Sequence, residues 1–361
     1  MSHDDRTELP MNASSPNPVD ESVIDGFIKA QASAVPETSR SVREQIGALG
    51  LSPARHLVLV GSGTSLNALM VAKPGFEAGG AFVEVLNPGA FLARLPALAA
   101  DAQVIALSQT GTSETTVAAV RRAQQIGLRC LTITAEAQSP IAQVAANTLA
   151  LPIGPEPVGP KTKGYTASLA ALFALAPVLG GSAAAAEIGE AEIAAIIAET
   201  TPPAFALAAE LDDCDGLLFV GEGRHLGTAL EASLKAAEMT GVPAAAFPTE
   251  EAMHGRFHGL TAKSLCIMIV ADEAERALAA HAAKVMAGLG VRIVILNLTS
   301  VSTSHDWVRP AVLPAPYDAM AAIIPIQRLA QAMAARRGIP PHLMRFPGLS
   351  KRLGIKIDRL T

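Results

Sequence analysis

The segment LSQTGTSETT, residues 107–116, places six hydroxyl side chains and one glycine directly after an apolar run. Ser and Thr at such a position can cap a helix, or they can donate hydrogen bonds to a ligand rich in oxygen atoms. A helix N-terminus at the end of a strand adds free N–H groups and partial positive charge, which suit a phosphate. Gly111 lets the backbone approach such a ligand closely. The segment therefore predicts a phosphate site.

A second loop of the same chemistry follows the strand and glycine turn of HLVLVGSGTSLNALMVAK, residues 56–73. Its Gly63, Thr64 and Ser65 are predicted to adjoin the first loop. For any single Ser or Thr, helix capping remains the default interpretation. A nicotinamide site is a weaker alternative, because GSGTSL has Leu66 in place of the third glycine, although Glu84 follows at about the expected 20 residues.

The helix TALEASLKAAEMTG carries three charged side chains on one face, since Glu231, Lys235 and Glu238 stand at i, i+4 and i+7. A solvated salt-bridge stripe is one interpretation of this spacing. A row that faces a ligand cleft is the other, because the helix follows the glycine loop of a strand-turn-helix unit. The second interpretation predicts a carboxylate and an ammonium at the reacting atoms of the ligand.

Shortly afterwards, His254 precedes a glycine and follows Glu251 by three residues. A neutral imidazole can open a sugar ring by moving a proton. A structural or incidental histidine is the alternative. The pair His254 and His258 gives little support to a metal, because a glycine interrupts it and no third ligand is evident, so we expect no metal and no cofactor.

The elements that must position these residues repeat along the chain. The strand-turn-helix unit at 56–73 recurs at 216–238, and each copy is followed by further strands and helices in the same order. This layout predicts an α/β fold with two tandem, doubly wound parallel sheets. Where the first half has the hydroxyl-rich segment 107–116, which we call the hydroxyl loop, the second half has ADEAER, residues 271–276. A ligand in the first half explains this difference better than architecture does.

Composition narrows the class of protein. The 361 residues are 50% hydrophobic, the formal net charge is −5, and there is no basic run, so neither nucleic acid nor a membrane is an expected partner. The three cysteines are widely spaced, which favours a reducing, cytoplasmic location. The start of the chain shows no signal peptide pattern. We expect the alanine-rich stretch 167–186 to be a buried helix rather than a membrane span.

Several ordered motifs, from about residue 45 to the C-terminus, resemble the SIS (sugar isomerase) domain family. The closest resemblance is to the double-SIS isomerase half of glucosamine-6-phosphate synthase and to stand-alone glucosamine-6-phosphate deaminases and deglycases. The motifs are GSGTS, LSQTGTSETT, KTKGYTASLAAL, ALEASLKAAE, EEAMHG and PGLSK. The resemblance implies two three-layer αβα domains and a dimer whose histidine loops reach the neighbouring active site. The predicted divisions are a disordered start with a helix (1–45), the first SIS domain (46–200), the second (201–345) and a tail over the site (346–361).

The resemblance also implies a role for each matching residue. Glu238 would move a proton between C1 and C2 of a sugar, Lys235 would assist at the hydroxyls, His254 would open the ring and Lys351 would close over the substrate. The substrate and its phosphate would be bound by Gly63, Thr64, Ser65, Ser108, Gln109, Thr110, Ser113, Lys161 and Glu231.

A proton shift between two carbons needs one carboxylate that takes and returns the proton, and a desolvated carboxylate beside a lysine can be tuned for this work. The resemblance implies that the synthase needs an N-terminal glutaminase domain with a terminal cysteine as its nucleophile. The sequence has no early cysteine and we expect no glutaminase segment, which favours a glucosamine-6-phosphate deaminase over the synthase. A fructosyl-amine 6-phosphate deglycase and a non-catalytic phosphosugar sensor are the alternatives. Three departures from the family motifs bear on specificity: Lys161 replaces a small hydroxyl residue, Arg256 follows the histidine loop glycine, and the tail PGLSKRLGIKID carries extra basic residues after Lys351.

Overall fold

The computed structural model describes residues 22–98, 100–346 and 348–357. The predicted disordered start, residues 1–20, lies outside this range. The predicted N-terminal helix is present as two helices, α1 (Ser22–Lys29) and α2 (Gln31–Ile46). Together they precede the first sheet.

Each half of the chain contains one five-stranded parallel sheet. The first-half elements are β1 (His56–Val60), α3 (Thr64–Glu77), β2 (Phe82–Leu86), α4 (Pro88–Arg94), β3 (Gln103–Leu107), α5 (Glu114–Gln125), β4 (Arg129–Thr134), α6 (Pro140–Val144), β5 (Thr148–Ala150) and α7 (Lys163–Leu175). The second-half elements are α8 (Glu190–Ala208), β6 (Leu217–Val220), α9 (Arg224–Thr240), β7 (Ala244–Phe247), α10 (Thr249–Met253), β8 (Leu265–Val270), α11 (Glu273–Gly288), β9 (Arg292–Asn297), β10 (Asp306–Val308), α12 (Asp318–Arg336) and α13 (Leu349–Arg352).

The two sheets have the same topology. Their strand orders are β2-β1-β3-β4-β5 and β7-β6-β8-β9-β10, and every pairing is parallel. The predicted fold class is therefore confirmed. In such sheets a ligand binds beyond the carboxyl ends of the strands where the order reverses, which is between β1 and β3 in the first half. The glycine loop and the hydroxyl loop follow these two strands.

The two halves join through their equivalent helices. The helices α3 and α9, which follow the first strand of each half, pack against each other, and a single hydrophobic core continues from one sheet to the other through them. Gly227 of α9 lies at the closest approach, because a Cβ there would stand 2.7 Å from the backbone nitrogen of Val71 on α3. The residue equivalent to Gly227 on α3 is Asn67. This contact sets the distance between the two halves of the site.

We expect Gly227→Ala to lower the free energy of unfolding by about 1–3 kcal/mol, because the new methyl group meets backbone that can move only with the helix. Chemical denaturation measures this loss. Gly26→Ala is the matched control, since Gly26 lies within α1 and its added Cβ would have no neighbour within 4 Å. An equal effect of the two substitutions would contradict the tight α3–α9 contact.

Two predicted features differ in detail. The alanine-rich stretch forms α7 and a 3₁₀ turn at Ala176–Leu179, which ends where Gly180 adopts a left-handed conformation. Most of α7 is buried, as predicted, and no helix within the described ranges is long and apolar enough to cross a membrane. The sequence TTPPAFALAAELDDCDG, at the predicted boundary near residues 199–211, is expected to interrupt the strand-helix pattern, but Pro202 and Pro203 lie inside α8 with buried residues on both sides. The exact domain boundary stays a prediction.

Candidate functional site

The charged row on α9 consists of Glu231, Lys235 and Glu238, and we call it the α9 row. Its first two side chains are buried rather than solvated. Glu231 and Lys235 have no exposed surface, and Lys235 Nζ lies 3.4 Å from a Glu231 oxygen. Thr64 Oγ1 and Asn67 Nδ2, both on α3, donate to the two Glu231 oxygens at 3.1 and 2.9 Å. Lys235 also donates to Glu238 one turn on. The salt-bridge stripe interpretation is wrong, because the row lies in the contact between the two halves.

Burial and the neighbouring charges set the protonation of this row. Burial raises the pKa of Glu231 to about 7, while the charge of Lys235 and the Asn67 amide oppose the rise. Burial acts to lower the pKa of Lys235, but the carboxylates of Glu231 and Glu238 outweigh it, and the pKa of Lys235 lies above its ordinary value. Lys235 therefore keeps its positive charge at neutral pH.

The raised pKa of Glu231 gives the protein a specific dependence of stability on pH. Since the folded protein holds this proton more tightly than the unfolded chain, its contribution is complete below the ordinary value of 4.5 and is lost as the pH rises through about 7. We expect the unfolding free energy of wild type to fall relative to Glu231→Gln between about pH 5 and about pH 8. Urea titrations at the two pH values measure this, and parallel profiles would contradict the buried carboxylate.

Of the two carboxylates, Glu238 is the one placed to exchange a proton with a ligand. Both oxygens of Glu231 are taken by α3, and its side chain is enclosed. The Glu238 side chain is 24% exposed and borders a cavity of about 400 Å³. The tail lines the other side of this cavity with residues that include Leu349 and Ser350. Glu231 therefore acts as a positioning residue for Lys235, and Glu238 meets the cavity.

The hydroxyl loop lies beyond β3, where the sequence predicts it. Gly111 has φ +63°, and a Cβ there would stand 2.0 Å from Ser139 Oγ, so only glycine fits without displacing its neighbour. Thr110 and Thr112 share a hydrogen bond of 2.9 Å, and Thr116 donates to Ser113 at 2.9 Å. The Ser113 proton thus remains to be donated to a ligand.

The equivalent position in the second half carries negative groups. Asp272 caps α11 by accepting from the Glu275 N–H at 2.9 Å, and the Glu275 side chain accepts from the Ala271 N–H at 2.7 Å. Two carboxylates at this helix start disfavour an anion. The start of α5 has one acidic residue, Glu114, and the start of α11 has Asp272, Glu273 and Glu275, so the two halves differ in the number of carboxylates as well as in hydroxyls.

Glu156 is a site residue that sequence analysis missed. It is buried, and its carboxylate accepts from the N–H groups of Thr162, Lys163 and Gly164 at 2.9, 3.2 and 2.9 Å, at the start of α7. Gln109 Nε2 reaches the same carboxylate at 3.4 Å. Glu156 thereby ties the buried Gln109 to α7. Its only sequence signal is a charged residue in a glycine- and proline-rich loop, which is not specific.

Lys161 connects the two parts of the site. Its ammonium donates to the Glu156 carbonyl. Burial lowers the pKa of Lys161; Glu156 opposes this, and the nearby ammonium groups of Lys356 and Lys235 lower it further. Glu238 also acts on Lys161. Lys161 thus senses charges from the α9 row and from the tail, and its assignment to the substrate-binding group stays a prediction.

The C-terminal tail returns to the hydroxyl loop. Ser113 and Lys356 form an antiparallel bridge, in which the Ile357 N–H donates to the Thr112 carbonyl at 2.9 Å and the Glu114 N–H donates to the Ile355 carbonyl at 3.3 Å. Lys351 lies in α13, next to Ser350 on the cavity wall, and is exposed. The tail therefore covers both the hydroxyl loop and the cavity beside Glu238.

The remaining predicted site residues lie beyond the strands of the first half, except His254, which is exposed in the second half. Gly63, with φ +55°, precedes Thr64 at the start of α3, Ser65 is half-buried in its first turn, and Ser108 is buried directly after β3. His254 is not brought to the α9 row within the chain: its ring is 73% exposed and lies 2.9 Å from Glu250, not Glu251. Arg256 stacks on Phe247, with its guanidinium carbon 4.3 Å from the ring centroid.

Glu84 and the three cysteines bear on a nucleotide site and on a disulfide or metal site. Glu84 lies within hydrogen-bonding distance of His56 (2.9 Å) and Arg94 (3.1 Å), so its oxygens have partners without a ribose. The three cysteines are buried and unpaired. Within the described ranges, no group of three or more His, Cys, Asp and Glu side chains is arranged to hold a metal ion.

Comparison with known proteins identifies the family of the chain. Residues 50–177 match the SIS domain family model. The chain is thus a SIS-domain protein, and the second half repeats the fold of the first. Its curated relatives include glutamine–fructose-6-phosphate aminotransferases (isomerizing) from Bacillus subtilis, 27% identical over 308 residues, and Haemophilus influenzae, 30% identical over 312 residues. These alignments cover 81% of this chain, and the chain spans about half the length of the relatives.

Solved structures show the same fold across nearly the whole chain. A candidate phosphosugar isomerase from Clostridium difficile matches with a TM-score of 0.82 at 18% identity, covering 93% of this chain and 99% of that one. Glucosamine-6-phosphate deaminase from Thermotoga maritima matches with a TM-score of 0.72 at 20% identity, covering 90% and 98%. The C-terminal domain of glucosamine-fructose-6-phosphate aminotransferase from Francisella tularensis matches with a TM-score of 0.72 at 19% identity, covering 89% and 98%.

Proposed function

We propose that the protein is an amino-sugar phosphate isomerase, acting as a glucosamine-6-phosphate deaminase. The observation that carries the proposal is the α9 row, which places Glu238 at a cavity while Glu231 and Lys235 hold it from behind. The hydroxyl loop supplies donors for a phosphate. The names of the relatives and structural neighbours support a phosphosugar as the substrate class.

In the proposed reaction, Glu238 removes the proton from C2 of the open-chain amino sugar and returns it to C1. The electron pair of the C2–H bond forms a C1–C2 double bond, and the C1 carbonyl oxygen takes a proton from solvent to become a hydroxyl. Return of the first proton from Glu238 to C1 moves the nitrogen lone pair into a C2–N double bond and leaves a protonated imine at C2. Water adds to this imine, ammonia leaves, and the ketose phosphate is released. Lys235 donates to the Glu238 carboxylate and stabilises its ionised form, which is the form that accepts the C2 proton.

A deglycase that cleaves a fructosyl-amine 6-phosphate is the second candidate, and the cavity beside Glu238 favours it. This cavity of about 400 Å³ is also lined by Arg345 and Phe346, where the amine portion of a larger substrate could lie. Lys161 adds an ammonium where the family motif has a small hydroxyl. Release of ammonia from glucosamine 6-phosphate, compared with release of an amine from a fructosyl-amine 6-phosphate, separates the two. The larger kcat/KM identifies the substrate class, and no turnover of either would contradict both proposals.

We further propose that the active enzyme is a homodimer, in which His254 of one protomer opens the sugar ring at the site of the other. The exposure of His254, with Glu250 as its partner, supports this arrangement. It predicts complementation. When inactive Glu238→Gln and His254→Ala chains are combined in equal amounts and refolded together, they should recover about a quarter of wild-type activity. Half of the dimers then contain one chain of each variant, and each such dimer has one complete site. Size-exclusion chromatography verifies the dimer, and absence of recovery in verified mixed dimers would contradict a shared site.

A further inference from the structure

The pairing of the tail with the hydroxyl loop defines where the Lys356 side chain lies. The hydrogen bonds on either side of Ser113 and Lys356 run from Ile357 to Thr112 and from Glu114 to Ile355. This is the non-hydrogen-bonded type of antiparallel pair, in which the two side chains lie on the same face and close together. Lys356 therefore lies beside the Ser113 hydroxyl, at the start of α5.

The surroundings of this pair hold several donors that suit an anion, beside one carboxylate in the first turn of α5, that of Glu114. The Ser113 hydroxyl accepts from Thr116, which leaves its proton to donate. The first turn of α5 adds N–H groups without partners inside the helix. Ser139 is buried against Gly111, and its hydroxyl has no hydrogen-bond partner among the described residues. The ammonium of Lys356 is also close enough to disfavour the charge on Lys161, and a bound anion would relieve this repulsion.

We propose that Lys356 is a specificity residue for the phosphate of the substrate. The tail strand brings its ammonium onto the anion held by the hydroxyl loop, so that the phosphate and the closed tail stabilise each other. The inference rests on the proposed function, since it assumes a sugar phosphate at this loop. It differs from the implied role of Lys351, which lies beside the cavity and not on the hydroxyl loop.

The energetic expectation follows from the exposure of Lys356. Charge-assisted hydrogen bonds are stronger than neutral ones, but solvent screens an exposed ammonium, so we expect Lys356→Gln to weaken phosphate binding by about 3- to 10-fold. Lys356→Arg keeps the charge and should remain within about twofold of wild type. Arg352→Gln removes an equal charge from the same tail at an exposed position outside the bridge, and it should also remain within about twofold.

The experiment is isothermal titration calorimetry of the full-length protein and the three variants with inorganic phosphate at low salt, followed by kcat and KM for glucosamine 6-phosphate. Selective loss of phosphate affinity in Lys356→Gln, with a higher KM and an unchanged kcat, is the predicted result. Equal losses in Lys356→Gln and Arg352→Gln, or no loss in either, would overturn the assignment of Lys356. Thermal melting of each variant verifies that it folds.

The titration also separates this inference from the proposed function. If phosphate binding depends on Lys356 but no sugar phosphate is turned over, the enzyme proposal fails and the assignment of Lys356 stands. If turnover occurs with the same KM in all four proteins, the assignment fails and the enzyme proposal stands. No phosphate binding by wild type would overturn the assignment of Lys356, while ammonia release from glucosamine 6-phosphate would still decide the enzyme proposal.

Discussion

Replacement of Glu238 by glutamine is expected to lower kcat by about a thousandfold, because the amide keeps the shape of the side chain but cannot take and return a proton. KM should change little, since the phosphate contacts lie on the hydroxyl loop and not on α9. Ammonia release from glucosamine 6-phosphate measures both constants. A fall in kcat without a rise in KM indicates an interaction made in the transition state.

The matched control for this prediction is Glu77→Gln. Glu77 lies one residue from the position on α3 that is equivalent to Glu238, and it also pairs with a lysine of its own helix, Lys73, but in a partly exposed position away from the cavity. Its substitution should leave kcat unchanged. Wild-type turnover by Glu238→Gln would assign the proton transfer to another group, and Glu231 would be the first to test.

Replacement of Lys235 by methionine is expected to give the largest loss of stability, about 3 kcal/mol near pH 8, because it leaves the buried Glu231 without its cation. Since burial already raises the pKa of Glu231 to about 7, this carboxyl can take a proton when the pH is lowered. The loss should therefore be smaller near pH 6. Urea unfolding at the two pH values measures the difference.

Two further variants test the cause of this loss. Glu231→Gln combined with Lys235→Met removes both charges, and it should recover part of the stability that the single Lys235 variant loses. Lys73→Met breaks a half-exposed pair of the same i, i+4 spacing and should cost less than about 1 kcal/mol. A pH-independent loss in Lys235→Met, or no recovery in the double variant, would show that packing rather than charge is responsible.

The features that local sequence patterns encode could be predicted. Alternating apolar runs and helices, repeated in the same order in both halves, predict the two doubly wound parallel sheets. The spacing of Glu231, Lys235 and Glu238 predicts one helix face, and the clustering of hydroxyls around Gly111 predicts a ligand loop. Each of these depends on residues close in sequence, where periodicity and turn chemistry act directly.

The features that depend on distant segments could not be predicted. Asn67 meets Glu231 across 164 residues, and nothing in either helix alone identifies the pair. Glu156 acts through backbone N–H groups, which leave no trace in residue types. Lys356 gains its position only from a strand pairing between the tail and residues 112–114. Packing also overrides local tendency in α8, which continues through Pro202 and Pro203 because buried residues on both sides hold it against α2 and α12.

The α9 row shows how burial distinguishes two interpretations of the same sequence pattern. From the sequence, the same three residues describe either a surface stripe or a catalytic row. In the structure, close packing against α3 at Gly227 removes Glu231 and Lys235 from water, and only Glu238 remains at a cavity. The positions on and just after α3 that are equivalent to Glu231, Lys235 and Glu238 are Val71, Gly75 and Ala78. The α3 side of the contact therefore has no charged row at these positions.

The most direct measurement is the stoichiometry of ammonia and ketose phosphate formed from glucosamine 6-phosphate by the purified wild-type protein. The account predicts equal amounts of ammonia and fructose 6-phosphate, formed over many turnovers. Stabilisation of the protein by glucosamine 6-phosphate in a thermal melt, without any ammonia, would contradict it and would indicate a phosphosugar sensor.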